Sequence, residues 1–250
     1  MSDRPTILGI PFDATSLADA VARTQAALGG RTVFHVVTPG PEFLMTSRHH
    51  QRFAEVLRQA DLSLPDGMGV IVAAKILGQA GLRRIPGMDF LDGLLRAAVS
   101  GGVAVFLYGA MPGVAEAAAK RLTKQYVGLK IAGIESGFRG WIRVPESFVA
   151  WRIRRSRAAV LLVALGAPEQ ELWIDRNRSQ LGSVRVAMGV GGAFDFWSGQ
   201  VARAPQLMQR LGLEWAWRLL QQPRQRWRRI VTATWSFMIA VLNEKRRSHA

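Results

Sequence analysis

Cysteine is absent from this chain of 250 residues. A disulfide framework, a thiolate nucleophile and a cysteine-ligated zinc site are therefore excluded. The four histidines show no metal-ligand spacing, so the sequence contains no candidate metal site. The N-terminus also lacks a basic segment followed by an apolar run, and we expect no secretory signal there.

Several motifs of nucleotide and hydrolase chemistry are missing as well. The chain has no Gly-x-Ser-x-Gly elbow, no Walker motif with its lysine, and no Asp-x-Asp of the kind that holds a metal against a sugar nucleotide. A glycine-rich run begins at Gly189, but Phe194 stands where a dinucleotide-binding loop needs its last glycine. A nicotinamide oxidoreductase is therefore poorly supported. If a nucleotide diphosphate leaves in a reaction here, arginines rather than a metal ion should stabilise it.

Acidic residues are scarce relative to basic ones. The chain holds 33 Lys and Arg against 18 Asp and Glu, a formal net charge of +15. Residues 200–250 contain ten of the cations and two of the acids, so the last fifth of the chain carries +8 of that excess. A surface this basic attracts a nucleic acid, an anionic membrane or a phosphorylated ligand.

Apolar runs alternate with helical patterns along most of the chain. Strands are predicted at Thr32–Val37, Val103–Tyr108, Lys130–Gly133, Val160–Leu165 and Val184–Val190. Helices are predicted at Leu17–Leu28, Ser47–Gln59, Met68–Leu77, Phe90–Val99, Val114–Gln125, Ser147–Ser156 and Glu169–Gln180. Strands separated by helices of about ten residues indicate βαβ units, so we expect an α/β fold with a mostly parallel sheet.

The chain changes character after Gln200. A helical pattern with aromatic residues covers Ala204–Gln222, Pro223 interrupts it, and the mostly apolar stretch Ile230–Leu242 has cations on both sides. These thirteen residues are too few to cross a bilayer, which needs about 20. We predict an amphipathic helix lying on an anionic membrane surface. The alternative is a helix packed on the core with a solvated basic face.

Asp66 is the first candidate for catalysis. It follows an apolar strand-like segment that stops at Pro65, and a helix rich in Val and Ala begins just after it. An aspartate at such a junction is a good helix N-cap. A carboxylate there also faces a bound ligand and suits a general base. The sequence fits both interpretations.

Two glycine loops follow predicted strands. Gly109–Gly113 comes after Val103–Tyr108, and Gly189–Gly192 comes after the apolar run Val184–Met188. Glycines let the backbone approach a phosphate, and the helix that follows supplies amide donors. Gly109, Gly189 and Gly191 are therefore candidate nucleotide-binding residues.

Four segments of the chain resemble the WecG/TagA/CpsF glycosyltransferase family, also known as glycosyltransferase family 26 and N-acetylmannosaminyltransferase-like. They keep the family's order and spacing from about residue 32 to 229: Val36–Phe43, Ala60–Gly69 with Arg84–Asp89, Leu165–Ile174, and Gly189–Arg229. The resemblance implies a Rossmann-like catalytic domain, residues 1–199, and a basic C-terminal appendage, residues 200–250, that docks on the membrane. It also implies a peripheral protein on the cytoplasmic face of the bacterial inner membrane.

The activity implied by this resemblance is transfer of a sugar, with inversion, from a UDP-sugar to a polyprenyl-diphosphate-linked sugar, without a metal or other cofactor. Surface polysaccharide or cell-wall polymer synthesis is the expected setting. By the resemblance, Asp66 is the general base. The remaining implied site residues line the sugar and diphosphate pocket, meet the nucleotide, or reach the departing diphosphate from the appendage: Thr38, Arg84, Gln170, Asp195, Arg218 and Arg228.

The chain departs from the family pattern at two positions. Gly40 stands where members commonly carry Asn, and Gln225 stands where a third appendage arginine is expected. The alternative function is a basic membrane- or nucleic-acid-binding protein without enzymatic activity. No nucleic-acid motif appears in the sequence, so nucleic acid is not an expected partner.

Overall fold

A single parallel sheet forms the centre of the protein. The computed structural model describes residues 4–79, 81–139, 142–210, 213–221 and 223–248. Its strands are β1 (Thr6–Ile7), β2 (Ile10–Pro11), β3 (Phe34–Val37), β4 (Leu62–Ser63), β5 (Ala104–Gly109), β6 (Lys130–Glu135), β7 (Phe138–Arg139), β8 (Ile142–Arg143), β9 (Val160–Ala164) and β10 (Val186–Gly189). Six of them pair in the order β4-β3-β10-β9-β5-β6, and every pairing is parallel.

Helices connect most of these strands. They are α1 (Leu17–Ala27), α2 (Pro41–His49), α3 (Gln51–Gln59), α4 (Met68–Ile76), α5 (Gly87–Ser100), α6 (Val114–Gln125), α7 (Glu146–Ser156), α8 (Glu169–Asn177), α9 (Ala193–Ser198), α10 (Gln206–Arg210), α11 (Glu214–Gln221) and α12 (Pro223–Ser248). A short 3-10 turn, Arg178–Gln180, extends α8.

The helices cover both faces of the sheet. Helices α1, α5, α6 and α9 pack on one face around side chains such as Leu107 and Met188. Helices α3, α7 and α8 pack on the other, around Phe53, Leu161 and Trp173. All five residues of β9 are buried. A continuous apolar run of this kind is what a central parallel strand requires, because neither of its faces meets water.

The connections diverge at the carboxyl end of β10. The helix that follows β10, α9, lies on one face of the sheet. The neighbouring strand β3 is followed by α2 and α3, and the neighbouring strand β9 is followed by α8; these helices lie on the opposite face. The chain therefore leaves adjacent strands in opposite directions, and ligands of open α/β sheets bind at such points.

The α/β prediction is confirmed: all five predicted strands are present, and they lie in one parallel sheet. The single helix predicted over Ser47–Gln59 is wrong. The chain forms α2 and α3 instead, separated at His50, whose backbone is extended. The His50 side chain accepts a hydrogen bond from the backbone N–H of Phe53, so it caps α3 and ends the continuity that the apolar spacing indicates.

Helix α12 packs on the core through one face. Phe237, Ala240 and Val241 are buried against α2 and α4, and Glu244 accepts a hydrogen bond from the backbone N–H of Leu8 at 3.0 Å. The helix begins at Pro223, the residue predicted to interrupt the pattern, because proline fits the first turn of a helix. Within the described ranges, no helix is both long and apolar enough to cross a bilayer.

Candidate functional site

Thr38 and Asp66 converge on the N-terminus of α5. Thr38 follows β3 directly, and Asp66 lies three residues beyond β4, the strand next to it. The backbone nitrogen of Gly87, the first residue of α5, lies 3.5 Å from Asp66 Oδ2. A Cβ built on Gly87 would lie 3.4 Å from that oxygen and 3.6 Å from Thr38 Oγ1. A hydroxyl and a carboxylate therefore share one point at the carboxyl edge of the sheet.

Asp66 is not the N-cap of α4. That position belongs to Gly67, which has a φ of +93° and no side-chain cap. Asp66 instead directs its carboxylate across to α5, whose N-terminal amides and helix dipole favour a negative charge. The N-cap interpretation is wrong by one residue because a positive φ at Gly67 turns the chain before the helix begins. The carboxylate faces the edge where a ligand is expected.

Gln170 joins two loops at this same edge of the sheet. Its side chain is buried at the start of α8, and Oε1 accepts hydrogen bonds from the backbone N–H groups of Gly166 at 3.2 Å and Gly191 at 2.9 Å. Its Nε2 donates to Glu171 Oε1 at 2.7 Å. Gly166 follows β9 and Gly191 follows β10, so Gln170 fixes the relative position of the two strand-to-helix loops. Its side chain is therefore on the buried side of the loops and binds their backbone.

Gly189 and Gly109 allow close approach of neighbouring chain segments. A Cβ at Gly189 would collide with the side chains of Gln170 and Glu171. Gly109 ends β5 with a φ of +101°, and a Cβ there would collide with the backbone of Ala164 at the end of β9. Both glycines are thus required by packing within the protein. Their predicted contact with a nucleotide remains a separate prediction.

Arg84 holds the C-terminal part of the chain. Its guanidinium donates to the backbone oxygen of Gln209 at 2.8 Å and to Glu214 Oε2 at 2.7 Å. Only 13% of the Arg84 side chain is exposed. The sequence predicted a pocket residue, and the structure places Arg84 three residues before Gly87 with its cation engaged by α11. Its contact with a sugar or diphosphate stays a prediction.

A second ion pair strengthens this junction. Arg203 pairs with Asp89 in the first turn of α5, and its Nε lies 3.6 Å from Glu214 Oε1. Glu214 is therefore shared by Arg84 and Arg203. We call these four residues, Arg84, Asp89, Arg203 and Glu214, the ionic junction. It attaches α11 to the N-terminal end of α5, close to the carboxylate of Asp66.

Less can be said about the contacts of three further predicted residues, Asp195, Arg218 and Arg228. Asp195 lies in the first turn of α9, and its backbone oxygen accepts a hydrogen bond from Val201 N–H at 3.2 Å. Arg218 lies on α11 and Arg228 on α12, but both side chains fall outside the described residues, as does that of Gln225. In the part of the chain that is described, no three His, Asp or Glu side chains are grouped as metal ligands.

The sequence profile of the glycosyl transferase WecG/TagA/CpsF family matches residues 5–250. This chain belongs to that family. An N-acetylglucosaminyldiphosphoundecaprenol N-acetyl-beta-D-mannosaminyltransferase of Bacillus spizizenii is 38% identical over 213 residues, which cover 85% of this chain and 80% of the relative. A protein of the same name from Staphylococcus aureus is 32% identical over 245 residues, covering 96% and 93%.

Membership in the family confirms the resemblance drawn from the four segments. The protein is a glycosyltransferase, and the α/β fold with a parallel sheet agrees with that assignment. The non-enzymatic alternative, a purely binding protein, is not supported.

Sequence reasoning missed two buried titratable groups. Glu171 is fully buried on α8, and burial raises its pKa to about 8 while the hydrogen bond from Gln170 opposes the shift. His35 is buried on β3, where burial and then the charge of Arg178 lower its pKa to about 3. The sequence shows Glu171 only as a polar residue after Gln170, in a helix that begins with Glu169. Only the packing reveals that Glu171 points inward.

The ionic junction was also missed. All four residues lie within the segments that carry the family resemblance, but Arg84 is 130 residues from Glu214 and Asp89 is 114 residues from Arg203, and nothing in the sequence pairs them. A long-range pair of this kind follows from the path of the chain after α9. The sequence offered one signal: the two acids and the two arginines of the ionic junction all lie in segments that carry the family resemblance.

Proposed function

We propose that this protein transfers an N-acetylhexosamine from a UDP-sugar to a polyprenyl-diphosphate-linked N-acetylglucosamine. The observation that carries the proposal is the Asp66 carboxylate, which is directed beside Thr38 to the N-terminus of α5. The names of the relatives support an N-acetylmannosamine as the transferred group and a diphosphoundecaprenol-linked acceptor. Synthesis of a surface polysaccharide or cell-wall polymer is the proposed setting.

The proposed reaction is a single displacement at the anomeric carbon. Asp66 takes the proton of the acceptor hydroxyl while its oxygen forms a bond to the anomeric carbon. The bond from that carbon to the β-phosphate oxygen breaks at the same time, and UDP leaves with the bonding electron pair. Attack from the face opposite UDP inverts the configuration. Thr38, beside Asp66, is proposed to bind a sugar hydroxyl.

The glycine loops are the proposed nucleotide contacts. Gly109 leads into the N-terminus of α6, and Gly189 and Gly191 lead into α9, where Asp195 lies in the first turn. Backbone amides at such junctions are suited to phosphate or uridine oxygens. Arg84, Arg218 and Arg228 are proposed to neutralise the departing diphosphate, so no metal ion is needed in this mechanism.

The lipid acceptor requires the protein to work at a membrane. On α12, Trp235, Ile239 and Leu242 are spaced four and three residues apart and are 70%, 56% and 46% exposed. They lie opposite the buried face of the helix, since residues three and four apart share one side. The exposed cations Lys245, Arg246 and Arg247 follow them. This arrangement suits the interface of an anionic bilayer.

We therefore propose a peripheral protein on the cytoplasmic face of the bacterial inner membrane. Residues 1–199 form the catalytic part, and residues 200–250 are the appendage that carries α10, α11 and α12. The buried face of α12 joins the core, and the opposite face is proposed to meet lipid. The two interpretations of this helix are thus compatible, since each concerns a different side.

The membrane proposal predicts a selective loss on changing the exposed face of α12. Replacing Trp235 and Ile239 by Ser should weaken binding to anionic vesicles at least about tenfold, because binding scales with buried apolar area. Sedimentation with vesicles of phosphatidylglycerol and phosphatidylcholine measures this. Trp151→Ser is the matched control, since Trp151 is 45% exposed on α7. Equal binding by all three proteins would contradict the proposed surface.

Mass analysis of the product tests the proposed function. The protein is incubated with a panel of UDP-sugars and a short polyprenyl-diphosphate-N-acetylglucosamine. The proposal predicts that the acceptor gains one sugar residue from one donor, with UDP formed in equal amount. Hydrolysis of the UDP-sugar without any change in the acceptor mass would overturn it.

A further inference from the structure

Glu171 occupies an unusual position under the two loops that Gln170 connects. Its side chain is completely buried, and Oε1 accepts the hydrogen bond from Gln170 Nε2 at 2.7 Å. Oε2 is also buried and has no hydrogen-bond partner among the described residues. Burying a polar atom without a hydrogen-bond partner costs free energy, so the position of this carboxyl needs an explanation. The carboxyl also packs directly on the backbone of Gly189.

The hydrogen bonds around Gln170 allow only one orientation of its amide. Two backbone N–H groups, those of Gly166 and Gly191, point at one side-chain atom, which must therefore be the carbonyl oxygen. The amide nitrogen then faces Glu171 and needs an acceptor there. An apolar side chain at position 171 would leave that buried N–H unpaired, at a cost comparable to losing a hydrogen bond.

We propose that Glu171 is a positioning residue of the transferase: its Oε1 fixes the Gln170 amide, which in turn holds the loops at Gly166 and Gly191 beside the donor site. Glu171 itself touches no substrate. Its effect on activity rests on the proposed function, whereas its effect on the two loops does not. A protonated carboxyl suits this task, because its carbonyl oxygen is an uncharged acceptor for the Gln170 amide.

Among the described residues, the elements packed around Glu171 offer it no counter-charge. Helix α8 packs against α3, β9, β10 and the 3-10 turn. The charged residues on these elements and on α8 itself are Arg52, Glu55, Arg58, Glu169, Asp175, Arg176 and Arg178. They pair with one another, with Asp61, with Glu146 or with the backbone of Gly9, at positions that are only partly buried or exposed. His35 stays neutral above pH 4, because burial lowers its pKa to about 3.

The pH dependence follows from the direction of the pKa shift. Burial raises the pKa of Glu171 to about 8, from 4.5, so the folded protein favours the neutral carboxyl. The stability that this group contributes is complete below pH 4.5 and is lost as the pH rises through about 8. In the folded protein the carboxyl ionises near pH 8, and a buried negative charge then forms under the Gly166 and Gly191 loops.

Two substitutions distinguish the effect of the Glu171 acceptor oxygen from the effect of the side chain's size. Glu171→Gln keeps the shape and the acceptor oxygen but cannot ionise, whereas Glu171→Met keeps the length and removes the acceptor. Glu169→Gln is the matched control on the same helix, because Glu169 is partly exposed and pairs with Arg176. Activity is measured as kcat/KM for the UDP-sugar from pH 6 to 9.5. Loop order is measured as amide hydrogen exchange at Gly166 and Gly191 by NMR, without substrate.

The proposal predicts that Glu171→Met lowers kcat/KM at pH 7 about tenfold. It should also speed hydrogen exchange at the Gly166 and Gly191 amides about tenfold, because the Gln170 side-chain N–H is left unpaired. Glu171→Gln should stay within about threefold of wild type at pH 7 and should lack the fall in kcat/KM that wild type shows above pH 8. Glu169→Gln should keep the wild-type profile.

Two results would overturn the proposal. One is an alkaline fall in Glu171→Gln equal to that of wild type, and the other is wild-type exchange at Gly166 and Gly191 in Glu171→Met. If Glu171→Met does not fold, Glu171→Gln still decides through its pH profile. If the wild type transfers sugar from no donor, the proposed function fails, while the exchange measurements still judge the role of Glu171 on the loops.

Discussion

Replacing Asp66 by Asn is expected to lower kcat about 10²- to 10⁴-fold, the range typical for removal of a general base. Asn has the same shape, and its side-chain oxygen can still accept the hydrogen bond from the N–H of Gly87 that Asp66 Oδ2 accepts. The fold of the α5 N-terminus should therefore survive the change. What Asn cannot do is accept the proton of the acceptor hydroxyl.

Binding and turnover must be measured separately for this variant. Calorimetry with the UDP-sugar should give a Kd within about threefold of wild type, since a lost transition-state interaction lowers kcat without weakening ground-state binding. Asp19→Asn, an exposed aspartate in the first turn of α1, is the control and should retain full turnover. If Asp66→Asn loses donor binding and turnover together, Asp66 shapes the site and another group is the base.

Replacing Arg84 by Gln is expected to lower kcat/KM for the donor about 100-fold. A charge-assisted pair that is only 13% and 26% exposed at its two side chains holds α11 near the N-terminus of α5. Removing the guanidinium leaves Glu214 with Arg203 alone and also removes the cation proposed for the diphosphate. Losing one preorganised donor to a charge that develops in the transition state typically lowers the rate about 10²-fold, which is the factor expected here.

Glu214→Gln distinguishes the two roles of Arg84. This variant weakens the ionic junction but keeps the Arg84 cation, so we expect a loss of at most about fivefold, in line with a partly exposed ion pair. Arg84→Lys keeps the charge without the paired donors and should fall between the two. Equal losses in Arg84→Gln and Glu214→Gln would show that Arg84 serves only to attach α11 and makes no contact with the donor.

The fold was predictable where local patterns decide it. The buried run of β9 and its neighbours gave five of the six sheet strands, because a strand covered on both faces must be apolar throughout. The sixth strand, β4, pairs through two residues only, and although it lies in the strand-like segment that stops at Pro65, it was not among the predicted strands. The break between α2 and α3 depends on one side chain, His50, which caps the second helix. Apolar spacing alone does not detect such a cap.

The site was predictable by position and less so by contact. Thr38, Asp66, Gln170 and Gly189 all lie at the carboxyl edge, because each ends or follows a strand of the parallel sheet. Their partners depend on side-chain directions that a sequence does not state. Gln170 turns inward to the loops and Glu171, and Arg84 turns to α11. A long-range bond such as that between Arg84 and Glu214 requires the path of the whole chain.

The most direct test of the central claim measures UDP release from a panel of UDP-sugars, with and without polyprenyl-diphosphate-N-acetylglucosamine, in the presence of EDTA. Wild-type protein and Asp66→Asn are compared side by side. We expect UDP to be released from one donor only. This release should depend on the acceptor, should be unaffected by EDTA and should be lost in Asp66→Asn. Release that does not need the acceptor, or that persists in Asp66→Asn, would contradict it.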